Sequence, residues 1–158
     1  MRGSIKVGLS FGLTSGIITT LGLMIGLGVG TGLRLAVIGG IITIAVADAF
    51  SDALGIHIAE ESSKRNNERA IWEATITTFF VKLFVALSFI VPVLLFDLKM
   101  ALAVSICWGL LLLITFNYFL ARSRGDSPIR VIGEHVLIAI VVIILANYVG
   151  RMIGIWFG

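Results

Sequence analysis

LAVIGGIITIAVADAFSDALGIHI, residues Leu35–Ile58, is the stretch whose reading decides the fold. It is long enough to cross a bilayer as one helix, which takes about 20 mostly apolar residues. Its only formally charged side chains are Asp48 and Asp52, with His57 near its end. Four more runs of the same kind surround it: Val7–Val29, Ala74–Phe96, Met100–Leu120 and Val131–Phe157. Charge collects in the breaks between them: Thr31-Gly32-Leu33-Arg34, then Glu60 to Glu73, then Asp97-Leu98-Lys99, then Arg122 to Arg130. The expected fold is an all-α membrane protein, a single domain over residues 1–158 built as a bundle of five transmembrane helices, with a short polar segment at about 59–73.

Composition points the same way. The chain is 58% hydrophobic and 13% charged, with mean hydropathy +1.09. Soluble domains run nearer about 45–50% apolar and about 25% charged. A soluble fold of this size could not cover so much apolar surface with so few charges. No small-residue cleavage site is followed by a soluble body, so the first run is expected to stay as a membrane helix. The single cysteine, Cys107, lies in an apolar run, allows no intrachain disulfide and reads as a small apolar filler. No phosphate loop, zinc motif or nucleophile arrangement is present, so neither an enzyme, a cofactor nor a nucleic-acid partner is expected.

Lys and Arg set the orientation. Arg2, Lys6, Lys64, Arg65, Arg69, Arg122, Arg124 and Arg130 fall on the side of the N-terminus, against Arg34, Lys99 and Arg151 on the other. This bias predicts a cytoplasmic N-terminus and, with five spans, a C-terminus outside. Lys82 lies inside the third span. Ser127 can cap the fifth helix and Pro128 suits its first turn. Pro92 should kink or shorten the third helix.

The first span carries two glycine stripes, Gly8-Gly12-Gly16 and Gly22-Gly26-Gly30, each spaced by four. Such stripes let another backbone approach closely. They suit packing within one bundle, and equally a dimer seam or a substrate path along the first helix; for Gly8, Gly12 and Gly16 the dimer axis is the favoured expectation. Ser15 and Thr19 add hydroxyls near one face of the same helix.

Asp48 and Asp52 are four apart, so both carboxylates share one helix face, one turn apart. An Asp at mid-membrane costs about 2.5–3.5 kcal/mol on insertion scales. Two on one face repel as well, so the pair needs a cation, a shared proton, a basic partner or water. A structural salt bridge to Lys82 is one reading. A cation and proton site is the other, since one lysine cannot neutralise two carboxylates. An empty pair would hold a shared proton and yield it to a divalent cation, which is the core of an antiport cycle. Oxygen ligands alone suit Mg²⁺, Ca²⁺ or Mn²⁺; an added imidazole or thioether shifts preference toward Fe²⁺ or later metals.

His57 lies about half a turn of azimuth from Asp48 and cannot join it in one site. It shares a face with Glu60 and Glu61, and Glu68 and Glu73 follow with Lys64, Arg65 and Arg69 between them. This mixed run reads as a solvated helix extension or as a metal-collecting surface on the cytoplasmic side. Glu134 and His135 open the fifth span as interfacial polar residues, with Glu134 a candidate for proton coupling.

A family resemblance becomes specific at this point. The second span, from Ala47-Asp48-Ala49-Phe50-Ser51-Asp52 through Gly55 to Glu60-Glu61-Ser62, resembles the small-residue, Ser, Gly, Ser pattern of the vacuolar iron transporter family. Phe11-Gly12-Leu13-Thr14-Ser15-Gly16 looks like that family's Phe-Gly-Leu-x-x-Gly. Thr78-Phe79 and Ile90-Val91-Pro92 are similar to its Thr-Phe and Ile-Pro elements, and Tyr148-Val149-Gly150 through Gly154 to its closing Tyr-x-x-Gly-x-x-x-Gly. The resemblance implies a homodimeric exporter that moves Fe²⁺ or Mn²⁺ out of the cytoplasm in exchange for protons, along a path between the two first helices; the plasma membrane is the expected location. Two departures bear on the chemistry. The family's Asp-Gly-Leu near the start of the first helix is replaced by Val7-Gly8-Leu9, and Asp48 and Asp52 fall where the family carries a small residue and often a methionine. Acidity thus moves from the first helix to the second. A non-transporting structural or regulatory protein of the same fold, its metal site decayed, is the alternative function.

Overall fold

The computed structural model describes residues 3–63 and 67–158, so Arg2, Lys64 and Arg65 of the charge count lie outside the described residues. The chain forms α1 (Gly3–Thr31), α2 (Arg34–Ser62), α3 (Glu68–Ser88), α4 (Ile90–Leu95), α5 (Leu98–Arg124) and α6 (Pro128–Phe157). Five helical stretches are long and apolar enough to cross a membrane, with α3 and α4 together making the third. This is an all-α, multi-pass bundle, as the apolar runs predict.

Helices α1, α2 and α5 extend past their apolar runs at both ends, whereas the third span starts early at Glu68 and ends at Leu95, one residue short of Phe96. Helix α2 continues through Glu60 and Glu61 to Ser62, so the polar segment at about 59–73 is largely helix extension. Helix α3 starts where Asn67 Oδ1 accepts the Ala70 amide at 2.9 Å, and α5 where Asp97 accepts the Met100 amide at 3.2 Å. Gly125 closes α5 in a left-handed conformation, φ 78°, that a side chain would strain. Ser127 does sit at the N-cap of α6 ahead of Pro128, but its hydroxyl makes no capping bond; its carbonyl accepts the Val131 amide at 3.2 Å instead. The break at Phe89 has the predicted cause. Pro92 offers no amide hydrogen to the Ser88 carbonyl and its ring crowds that carbonyl, so α3 ends at Ser88.

Helix α1 is the axis. It packs against α2, α3, α5 and α6, and 44% of its apolar window is buried against 6% for α6, which therefore faces mostly outward. Ile17, Leu21 and Met24 of α1 form the core with Val37, Ile41, Phe89, Val93 and Leu113. Side-chain bonds mark the two ends of the bundle. At one end Ser4 Oγ donates to Glu73 Oε2 at 2.9 Å and Arg124 to Ser10 Oγ at 3.4 Å. At the other, Arg34 donates to the Phe96 carbonyl at 2.6 Å.

The glycine stripes find their partners inside the chain. A Cβ on Gly8 would lie 2.6 Å from the Ala74 carbonyl, and one on Gly12 2.8 Å from that of Thr78. The Gly8-Gly12-Gly16 stripe is therefore seated on α3, which corrects the expectation of a dimer axis. The reason is a second period-four stripe, Ala74, Thr78, Lys82 and Ala86, the buried face of α3. The upper stripe meets α6: a Cβ on Gly150 would lie 2.7 Å from the Gly26 carbonyl.

Candidate functional site

Lys82 is the largest polar side chain in the interior, with 1% of its surface exposed. It stands on the α3 stripe opposite Gly16, where a Cβ would already lie 3.4 Å from Lys82 Cα and Cγ. A Cβ there would stand in ordinary contact, so the site has room for no more than a small side chain beside the lysine stem. An ammonium buried this deeply must be paired and hydrogen-bonded.

Its partners come from two other helices. Nζ donates to Ser15 Oγ on α1 at 2.9 Å and to Asp52 Oδ2 on α2. Ser15 Oγ in turn donates a hydrogen bond to Asp52 Oδ2 at 2.7 Å. Asp48 Oδ2 lies 2.6 Å from Nζ in an ion-pair contact that lacks hydrogen-bond alignment, so charge rather than a directed bond holds it. The two acidic residues each precede a buried alanine of the α2 stripe, Ala49 and Ala53. They sit at the edge of the helix contact, with side chains 24% and 18% exposed. Among the described residues nothing donates a hydrogen bond to their Oδ1 atoms. With all three groups ionised the cluster carries a net charge of −1. In that state its two carboxylates outnumber the one lysine, and their Oδ1 atoms face away from Nζ's hydrogen bonds.

On the N-terminal side of this cluster lies a cavity of about 310 Å³ whose lining includes Ser10, Thr14, Ile56, Arg124 and His135. Thr14 is the chain neighbour of Ser15, and Ile56 lies one turn beyond Asp52. The cavity thus lies between the cluster and the Arg124 end of the bundle, lined by neighbours of the cluster residues and not by the cluster itself. His135 Nδ1 must donate to the Val131 carbonyl, 2.8 Å away, which leaves its Nε2 as the free ring nitrogen.

The other sequence-predicted residues stand apart. His57 faces α3, with Nδ1 3.0 Å from Thr75 Oγ1 and its ring edge-on to Trp72 at 4.8 Å between centroids. Thr75 commits its own proton to the Ile71 carbonyl at 2.8 Å, so His57 Nδ1 is the donor. An apolar groove of about 330 Å³ lined by Phe50, Leu54, Trp72 and Phe80 opens beside it. Glu73 is held by Arg69 at 3.1 Å and by Ser4. Glu61 and Glu68 are exposed and Glu60 is half-buried. Glu134 pairs with Arg130 at 3.0 Å on the exposed start of α6. Among the described residues no three His, Cys, Asp or Glu side chains gather as a ligand set. The structure thus unites Asp48 and Asp52 and leaves His57, Glu60, Glu61, Glu68, Glu73 and Glu134 outside that cluster. Arg124 and His135 are the lining residues that sequence reasoning did not connect to it; they come from helices far from α2 in the chain, and no local pattern signals their meeting. Comparison with protein-family models, with curated proteins and with solved structures gives no match to this chain.

Proposed function

We propose that this protein exports a divalent cation, Fe²⁺ or Mn²⁺, from the cytoplasm in exchange for protons, with Asp48 and Asp52 as the cation and proton site. One observation carries the reading: two carboxylates share a single buried ammonium in the bundle, and among the described residues each keeps an oxygen without a hydrogen-bond partner. A negative cluster inside a membrane is costly unless a cation or a proton completes it. The cavity beside Thr14 and Ile56 supports an approach from the end where Lys6, Arg69, Arg122, Arg124 and Arg130 lie, the cytoplasmic end in this reading. The resemblance to vacuolar iron transporters, carried by Phe11–Gly16, Ala47–Ser62 and Tyr148–Gly154, supports the same reading and with it a homodimer; the membrane proposed for it is the plasma membrane. With Gly8, Gly12 and Gly16 engaged by α3, the seam of that dimer falls to the α1 face between α2 and α6. There Phe11 is exposed and Thr14, Ser15 and Ile18 are half-buried.

A second reading draws on the burial of Lys82. An ammonium bound by both carboxylates of its own chain is also what a structural clamp looks like, and it favours a non-transporting subunit of the same fold. A flux panel of Fe²⁺, Mn²⁺, Co²⁺ and Zn²⁺ in proteoliposomes separates the two. Flux of Fe²⁺ or Mn²⁺ supports transport. No flux of any of the four moves the conclusion to the clamp.

A further inference from the structure

The atoms around Lys82 Nζ are those a hard cation would choose. Ser15 Oγ presents a lone pair to Nζ, since its own proton goes to Asp52. Asp48 Oδ2 and Asp52 Oδ2 complete a three-oxygen cradle. No imidazole, thiol or thioether is among the polar partners of this cluster. While Nζ fills the cradle, a divalent cation has only the Oδ1 atoms to approach, and both carboxylates cannot serve it and the lysine together without leaving excess positive charge in the bundle.

We infer that Lys82 is a tethered counter-ion that holds the place of the cargo: ammonium and divalent cation occupy the Ser15-Asp48-Asp52 cradle in turn. This rests on the transport reading above and deepens it. Lys82 keeps the cradle neutralised in part when no metal is bound, and so sets how weakly and reversibly the metal binds. The lysine stem is the moving part, since its four-carbon chain swings where a backbone-fixed ligand cannot. The all-oxygen cradle also assigns the cargo class, a hard divalent ion such as Mn²⁺ in preference to a thiol- or imidazole-seeking one such as Zn²⁺.

Mn²⁺ binding to the full chain in detergent, followed by the electron-spin resonance signal of free Mn²⁺, tests this. Lys82→Met removes the competitor and is expected to bind Mn²⁺ at least tenfold more tightly than wild type. Lys82→Arg keeps the charge and is expected to bind no more tightly than wild type. A second measurement avoids any variant that fails to fold. In wild type, acylation of Lys82 by an amine-reactive reagent, read by peptide mass, should accelerate when Mn²⁺ is added, because the displaced ammonium leaves its burial. Wild-type binding with equal or weaker binding in folded Lys82→Met, or acylation that Mn²⁺ leaves unchanged, overturns the tethered counter-ion while leaving the cation site standing. Absence of Mn²⁺ binding in wild type and in Lys82→Met overturns both.

Discussion

Replacing Gly12 by leucine should unfold the bundle more easily without changing its oligomeric state. The magnitude follows from the α1–α3 contact. A bare Cβ at Gly12 would stand 2.8 Å from the Thr78 carbonyl and 3.3 Å from both Thr78 Cα and Val81 Cβ, whereas ordinary contact begins at 3.4 Å. Backbone is the obstacle, so no side chain can rotate away. The helices must part by about 0.6 Å for alanine alone, and further for the rest of a leucine. Overpacking of this kind costs about 1–3 kcal/mol; at about 2 kcal/mol the folding equilibrium shifts by roughly 30-fold. The same separation would loosen Gly16 from Lys82 one turn away, so the charge cluster should weaken with it. Reversible unfolding in mixed detergent measures the midpoint, and sedimentation in the same detergent measures the mass. Gly39→Ala, where nothing lies within 4 Å of the new Cβ, is the control and should be neutral or slightly stabilising. A Gly12→Leu protein with the wild-type midpoint but an altered oligomeric mass would refute the argument, because the stripe would then lie between chains.

Three further outcomes follow from the same geometry. Lys82→Met leaves two carboxylates with no counter-ion and should cost about 3–5 kcal/mol in unfolding experiments; Mn²⁺ should restore the midpoint more in this variant than in wild type, by binding only the folded state. Protons and metal compete for the same carboxylate oxygens, so Mn²⁺ affinity measured at a series of pH values should fall on acidification; an affinity that rises would contradict Asp48 and Asp52 as ligands. With Cys107 replaced by serine, a cysteine placed in the Arg122 to Arg130 segment should resist labelling from outside intact cells while one beside Lys99 is reached, and the reverse pattern would invert the topology.

Much of the fold is legible in the sequence because the bilayer fixes one length and apolar runs either meet it or do not. The break at Phe89 is legible too, since proline acts on its own helix. Asp48 and Asp52 read as one face from their spacing, and Lys82 as their partner, because a lone ammonium in a span demands a counter-ion. Pairings between distant helices are not legible. The spacing of Gly8, Gly12 and Gly16 says that some backbone comes close, but whose backbone depends on Ala74 and Thr78 forming an equal stripe on α3. Ser15 reads as a hydroxyl of α1, yet its place between Lys82 and Asp52 exists only once three helices meet. The Glu60–Glu73 run reads as a possible collecting surface; its described residues mostly extend α2 to Ser62 and open α3 at Glu68, with Glu73 bound to Arg69 and Ser4.

The central claim is that Asp48 and Asp52 together bind the transported cation and couple it to protons. Metal-driven proton movement in proteoliposomes, compared between wild type, Asp48→Asn and Asp52→Asn, addresses it most directly. The amide is nearly isosteric, so both variants should fold. The account predicts Mn²⁺- or Fe²⁺-driven proton movement in wild type and its loss in each variant. Proton movement that survives in both would contradict it, and would place the coupling elsewhere, with Glu134 and the Glu60–Glu73 surface the next residues to replace.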